Sequence, residues 1–194
     1  MIVRCQRLSK KVGNSLDRNV NVITDLDGNK IVVINDIIFK GKRNVNWKDV
    51  EMYLRQYLGE FYRIADTEEI VYIGSDLPDE YTNSNYTQRL KGASAKAKAN
   101  AAQGLPEMIE IATGKQYEKN RKDKHSKDAQ YGWYRFKTRF ALPVFSEGGD
   151  VERYNIFHAL MLMRHAKDNK IYLYDIMEIK KETSKLFQPD DLTQ

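Results

Sequence analysis

Cysteine is almost missing from this chain: Cys5 stands alone among 194 residues. A lone thiol closes no internal disulfide, and a structural zinc site built on cysteines is excluded. Cys5 has no adjacent base, so it reads as incidental rather than as a nucleophile. Histidine is scarce too, with three copies. His158 and His165 stand far apart in the chain with no ligand pattern around them, so neither a metal nor another cofactor is expected. No apolar run approaches the ~18 residues of a membrane-spanning helix. The opening stretch MIVRCQRLSKK lacks the apolar core of a secretory signal. The expectation is a soluble protein of a reducing compartment, with no membrane partner.

The phosphate-loop and dinucleotide glycine motifs are absent, as is the G-x-S-x-G elbow of serine hydrolases. Asp25, Asp27, Glu68 and Glu69 read as turn and surface acids. The catalytic vocabulary is thereby narrowed to His, Arg, Lys and Thr.

What the chain does contain is enough apolar and aromatic material for a real core, at 41% and 11% of residues. Its net charge of +5 is mild but unevenly spread. Residues 85–145 hold 13 Lys+Arg against 5 Asp+Glu, and the remaining 133 residues hold 19 against 22. A basic central third between neutral or acidic flanks suits a polyanion, nucleic acid being the commonest, or a solvated lysine-rich face with no partner.

The chain reads as α+β in three blocks: an N-terminal unit over residues 1–75, a basic helical connector over 76–112, and an antiparallel-sheet domain over 113–194. In the first, Asn21–Thr24 and Lys30–Ile34 flank an Asp27-Gly28 turn and predict a hairpin. Trp47, Val50, Tyr53, Leu54 and Tyr57 recur at helical spacing behind Asn46. Phe61–Ile64 and Glu69–Ile73 predict two further strands, which makes a compact β-β-α-β-β unit. The polar stretch 75–85 reads as turns at a boundary. Ala and Lys dominate 89–102, which predicts a helix with little apolar face. That helix is either a solvated connector or a phosphate-contacting element carrying Arg89, Lys91, Lys96 and Lys98. Pro106 opens a short second helix. After a densely charged stretch over 115–128, three long strand candidates follow, over 133–142, 153–164 and 170–179. Their turns, Glu147–Asp150 and Lys167–Lys170, predict an antiparallel meander.

Strand periodicity places Arg135, Lys137 and Arg139 on one face of the first long strand. Such a row cannot all enter a dry core, so that face opens to solvent or to an anion. His158 lies among apolar neighbours on the next strand, either as a core-edge histidine or as a working one. Cleaving RNA without a metal needs a base for the 2′-hydroxyl proton, an acid for the leaving 5′-oxygen, and cations for the charge on phosphorus. Histidine suits the first two tasks and arginine the third.

Several runs also carry a resemblance. They are Gly92–Lys98 leading to Leu105–Ala112, Lys124–Tyr134, Thr138–Val144, Glu152–Ala159, and Leu173–Ile176 with Lys180–Ser184. Together, over roughly residues 88–188, they resemble the barnase–EndoU–colicin–RelE-like nuclease domains of phages and conjugative elements, of the type associated with large polyvalent proteins. The resemblance implies helices packed on an antiparallel sheet and a metal-independent endoribonuclease working in the cytoplasm of a bacterial host. By position it implies His125, Arg139, His158 and Thr183 as the active groups. The RNA-contacting set is then Lys91, Lys96, Lys98, Lys124, Arg135, Lys137 and Lys181. The partner is RNA, with guide RNA or a Cas ribonucleoprotein among the candidates. A non-catalytic RNA- or ribonucleoprotein-binding inhibitor of the anti-CRISPR type is the alternative. Residues 1–75 fall outside the resemblance, either as a recognition or partner-binding unit or as an extension of the sheet.

Overall fold

The computed structural model describes residues 18–41, 44–121 and 128–182. The fold is α+β. Its strands are β1 (Val20–Thr24), β2 (Lys30–Ile34), β3 (Phe61–Arg63), β4 (Ile70–Tyr72), β5 (Thr113–Glu118), β6 (Trp133–Phe145), β7 (Val151–His165) and β8 (Ile171–Lys181). Its helices are α1 (Trp47–Leu54), α2 (Leu77–Asn83), α3 (Asn85–Arg89), α4 (Gly92–Ala101) and α5 (Leu105–Glu110).

All the strands join one sheet in the order β1-β2-β6-β7-β8-β4-β3, with β5 paired to the first half of β6. The predicted meander is its centre, β6 antiparallel to β7 and β7 antiparallel to β8. The predicted hairpin is present, and the two further strands pair antiparallel as a second one, but the two hairpins do not close on each other into a compact β-β-α-β-β unit. β2 runs parallel to β6 on one flank, and β4 runs parallel to β8 on the other. The sheet is therefore mixed rather than antiparallel throughout, and residues 20–34 and 61–72 extend it on both sides.

Local chemistry accounts for these elements. In the β1–β2 turn, Asp25 Oδ1 accepts from the backbone of Asp27 at 3.0 Å and of Asn29 at 2.8 Å. Gly28 takes φ +81°, open to glycine at little cost. β2 is paired on both sides and covered on both faces, which is why Ile31 to Ile34 are all buried. In α1, the Asn46 side chain accepts from the Lys48 N–H, and Val50 and Leu54 turn inward. The stretch after Ser75 forms α2 and α3 rather than turns: Leu77, Pro78, Tyr81 and Thr82 are buried, and Ser84 caps α3 by accepting from the Thr87 N–H. The charged run after Ala112 begins as a strand, β5.

The largest departure from expectation is α4, which is a core helix. Ala95, Ala97, Ala99 and Ala101 are all buried. Alanine offers little apolar area per residue, but its small size lets a helix backbone approach the sheet closely. Gly104, in the 3-10 turn that directly follows α4, shows how closely: a Cβ there would stand 2.9 Å from Val32 Cγ1. Lys98 is wholly buried and ion-paired to Asp175 at 2.5 Å, so it cannot contact a phosphate, and its place among the RNA-contacting residues is corrected. Its ammonium also donates to Thr87 Oγ1 at 2.6 Å and lies 4.6 Å from the Tyr81 ring centroid. Burial lowers the Lys98 pKa against the opposing pull of Asp175, and burial raises that of Asp175. Asn100 is buried and functions as a latch: its Oδ1 accepts from the backbone of Ile38 and Phe39, and its Nδ2 donates to Phe39 O.

The helices and the main core cluster lie on one face of the sheet, where Phe136, Phe140, Phe157, Met161 and Met163 point. Arg135, Lys137, Arg139, His158, Leu160 and Leu162 point to the other. There a small apolar cluster of described residues, including Ile23, Ile31, Val33 and Ile156, covers one end. No helix among the described residues is long and apolar enough to cross a membrane.

Candidate functional site

The site lies on that second face. The antiparallel register of β6 and β7 sets Arg139 directly opposite His158, and β7 with β8 sets His158 opposite Lys180. Just past β8, the Glu182 N–H donates to Ile156 O at 2.8 Å, which brings the Glu182 carboxylate back over the sheet. From the other side, the β1–β2 turn delivers Asp25.

These groups interlock. Glu182 Oε1 accepts from Arg139 Nε at 2.9 Å and lies 2.8 Å from Arg139 Nη2. The same oxygen lies 2.6 Å from His158 Nε2. On the opposite side of the guanidinium, Arg139 Nη1 donates to Asp25 Oδ2 at 2.8 Å. Exposure is graded: the side chain of Asp25 is 1% accessible, Glu182 9%, Arg139 16% and His158 57%. Thus two carboxylates fix the arginine from two sides while the imidazole faces solvent.

The electrostatics follow from these contacts. Burial alone would raise the Asp25 carboxyl, but hydrogen bonds from Arg139 and from the Asn29 and Asp27 backbone carry it below its ordinary value. Burial works against the Arg139 cation, and hydrogen bonds to Asp25 and Glu182 more than offset it, raising its pKa. Arg139 is therefore a fixed, fully ionised group held in one orientation. A cavity of about 490 Å³ opens beside it, lined by Lys30, Asp66, Thr113, Lys137, Arg139 and His158 among others.

Of the sequence-derived site, the structure brings together Arg139 and His158. His125, Thr183 and Lys124 lie outside the described residues. Arg135 and Lys137 stand further along the Arg139 face; Arg135 is ion-paired to Glu118, and Lys137 is exposed and lines the cavity. Lys181 is exposed at the end of β8, close to the cluster in sequence. Lys91 and Lys96 belong to α4 and its approach, on the helix side of the sheet, away from Arg139. Glu182 and Asp25 were missed. Glu182 sits in the quoted run Lys180–Ser184, but only strand register shows that it turns back toward His158. Asp25 reads correctly as a turn acid through one oxygen; its second oxygen meets Arg139 only because β2 lies beside β6.

Among the described residues, no group of three or more His, Cys, Asp or Glu is arranged to hold a metal ion. What the cluster offers is a carboxylate and an imidazole joined through one oxygen, beside a rigid guanidinium. A carboxylate, an imidazole and a fixed guanidinium side by side supply a proton acceptor, a proton donor and a stabiliser of negative charge to a phosphate brought against them. Comparison with protein-family models, curated proteins and solved structures finds no match to the chain.

Proposed function

We propose that this protein is an endoribonuclease that cleaves RNA without a metal, using Glu182, His158 and Arg139. The observation that carries the reading is the single Glu182 oxygen shared by Arg139 and His158 on the sheet face opposite the main core. Glu182 takes the proton from the 2′-hydroxyl, whose oxygen attacks phosphorus. His158, the most exposed member, gives a proton to the departing 5′-oxygen. The P–O5′ bond breaks as the P–O2′ bond forms, leaving a 2′,3′-cyclic phosphate and a 5′-hydroxyl. Arg139 stabilises the added negative charge on the phosphoryl oxygens, and Asp25 holds it in place.

The resemblance to barnase–EndoU–colicin–RelE-like nuclease domains supports the same reading and suggests a phage or mobile-element protein acting on host or defence-system RNA. Helices packed on one face of a sheet, with the polar cluster on the other, are compatible with that family. Thr183 follows Glu182 directly and Lys181 precedes it, so both remain candidates for substrate contact.

The test is cleavage of RNA by the purified protein in EDTA. Each of His158→Ala and Glu182→Gln should lower kcat by about 10²–10⁴-fold, the usual worth of a positioned acid or base, with the circular dichroism spectrum unchanged. Cleavage that depends on added metal would overturn the mechanism. RNA that binds tightly and stays intact would favour the inhibitor reading instead.

A further inference from the structure

The sheet has outer edges at β1, β3 and β5, and they are not alike. An unpaired strand edge is a row of unmet N–H and C=O groups, and proteins blunt it with short strands, charges or bulges. β3 spans three residues and ends on Arg63. β5 carries Lys115, Glu118 and an irregular register against β6. β1 has none of these devices: Val20–Thr24 reads Val-Asn-Val-Ile-Thr, with no charge, proline or glycine, and it pairs with β2 without a bulge. Val22 is exposed on it, and Leu26 in the turn beyond is fully exposed. Among the described residues, no strand pairs with its outer side.

Register shows which backbone groups of β1 face outward. The Asn35 N–H donates to Asn19 O at 2.9 Å, and the Asp25 N–H donates to Asn29 O at 2.9 Å. Bonded residues alternate along an antiparallel pair. Asn21 and Ile23 therefore turn their backbone toward β2, while Val20, Val22 and Thr24 turn theirs outward. The Val20 N–H is met by Arg18 O at 3.0 Å. This outward set is symmetric about Val22. A second β1 laid antiparallel across a two-fold axis at Val22 sets Val22 against Val22, and Thr24 of each copy against Val20 of the other. Each Val22 N–H then donates to the other copy's Val22 carbonyl, and each Thr24 N–H to the other copy's Val20 carbonyl. β-Branched side chains stand directly opposite one another, a pairing that strands favour, and the strand brings no charge into the contact.

We propose that β1 is a dimer interface, at which two copies of this chain join their sheets edge to edge about Val22. The occupant is a second copy because the edge is its own complement: the same five residues supply both halves of the ladder, as an isologous contact requires. The axis between two antiparallel strands stands perpendicular to the sheet, so the faces bearing Arg139 look the same way in both copies. The two Arg139–Glu182–His158 clusters then share one continuous surface. Each is tied to the interface through Asp25, which follows Thr24 directly and holds Arg139. A five-residue edge is a small contact, so the dimer belongs to the weak class. It forms whatever chemistry the Arg139 cluster performs.

The test is the mass of the full chain by sedimentation equilibrium, from roughly 10 µM to roughly 0.5 mM, a range that spans the micromolar constants of small interfaces. The protein should pass from one copy to two across it. Val22→Lys changes an exposed side chain and sets two like charges face to face at the axis. That variant should stay a monomer with an unchanged circular dichroism spectrum. A Cys5→Ser background then reads the register. Val22→Cys should cross-link on mild oxidation, because the residues of a bonded pair stand ~5.5 Å apart at Cα, within disulfide reach. Thr24→Cys should not, because the two Thr24 positions lie roughly 13 Å apart along the strands at ~3.3 Å per residue. A monomer at the highest concentration overturns the proposal, and so does a dimer that survives Val22→Lys or leaves Val22→Cys without a cross-link. A monomer whose Val22 and Thr24 amides resist hydrogen exchange would show that another segment of the chain holds the edge, which equally overturns it.

Discussion

Replacing Lys98 by Met tests the unexpected role of α4 as the core helix. Lys98 is 0% and Asp175 2% accessible at the side chain, with 2.5 Å between their charged atoms. Removing the cation leaves a carboxylate in the core with, among the described residues, the Ser84 hydroxyl at 2.8 Å and the Ile176 N–H as donors. Breaking a buried pair in this way costs about 3–5 kcal/mol. At about 2–4 °C per kcal/mol for a chain of this size, the melting temperature should fall by roughly 6–20 °C. The loss should be smaller in acid. Burial raises the Asp175 pKa, and a carboxyl with a raised folded-state pKa favours the fold at low pH and opposes it as pH rises. The double change Lys98→Met with Asp175→Leu should recover most of the loss, because the stranded charge is gone while Ser84 and Thr87 still bond each other at 3.0 Å. With Asp175→Leu alone as the fourth corner, urea unfolding and thermal melts at pH 5 and pH 8 complete the cycle. A loss below about 1 kcal/mol for the single change, the worth of a surface pair, would show that α4 is solvated after all and refute the reasoning. RNA affinity of folded Lys98→Met should equal that of the wild type, since a buried lysine touches no phosphate.

Other expectations follow from contacts already described. Asp25→Asn keeps an oxygen for the Asp27 and Asn29 N–H groups but removes the charge that holds Arg139. The folded-state pKa of Asp25 lies below its ordinary value, so its contribution is present above about pH 4 and lost as pH falls further. The variant should therefore be less stable near neutrality and lose less on acidification, which an acid titration followed by fluorescence would show. Tyr86→Phe strands the Ile179 N–H, which donates to the Tyr86 hydroxyl at 2.8 Å, on the part of β8 that β4 does not cover. It should cost about 1–2 kcal/mol in urea unfolding, the penalty for an unmet buried donor.

Much of the sheet was legible because strands carry their own signals. The Asp27-Gly28 turn, the β-branched runs at 20–34 and 61–73, and the alternation along 133–142 each follow from local chemistry, and all lie where expected. What periodicity cannot supply is which strands lie side by side. Two parallel pairings place the hairpins on opposite flanks of the meander, and no residue within either hairpin announces that. α4 was misread because its apolar area is spread over small side chains. A pattern built to find large residues on one face reads such a helix as solvated, when it is buried on most sides. The partial legibility of the site has the same cause. Arg139 and His158 were visible through strand alternation. Asp25 and Glu182 needed the register that brings a turn and a strand exit to the same guanidinium.

The most direct measurement on the Arg139–Glu182–His158 cluster uses an RNA oligonucleotide whose susceptible position carries a single 2′-deoxy substitution. It is incubated in EDTA beside the unmodified RNA, and the product ends are read by mass spectrometry. The unmodified strand should yield a 2′,3′-cyclic phosphate and a 5′-hydroxyl, and the substituted strand should survive at that position. Cutting of the substituted bond, or product ends lacking the cyclic phosphate, would contradict the proton-transfer roles given to Glu182 and His158.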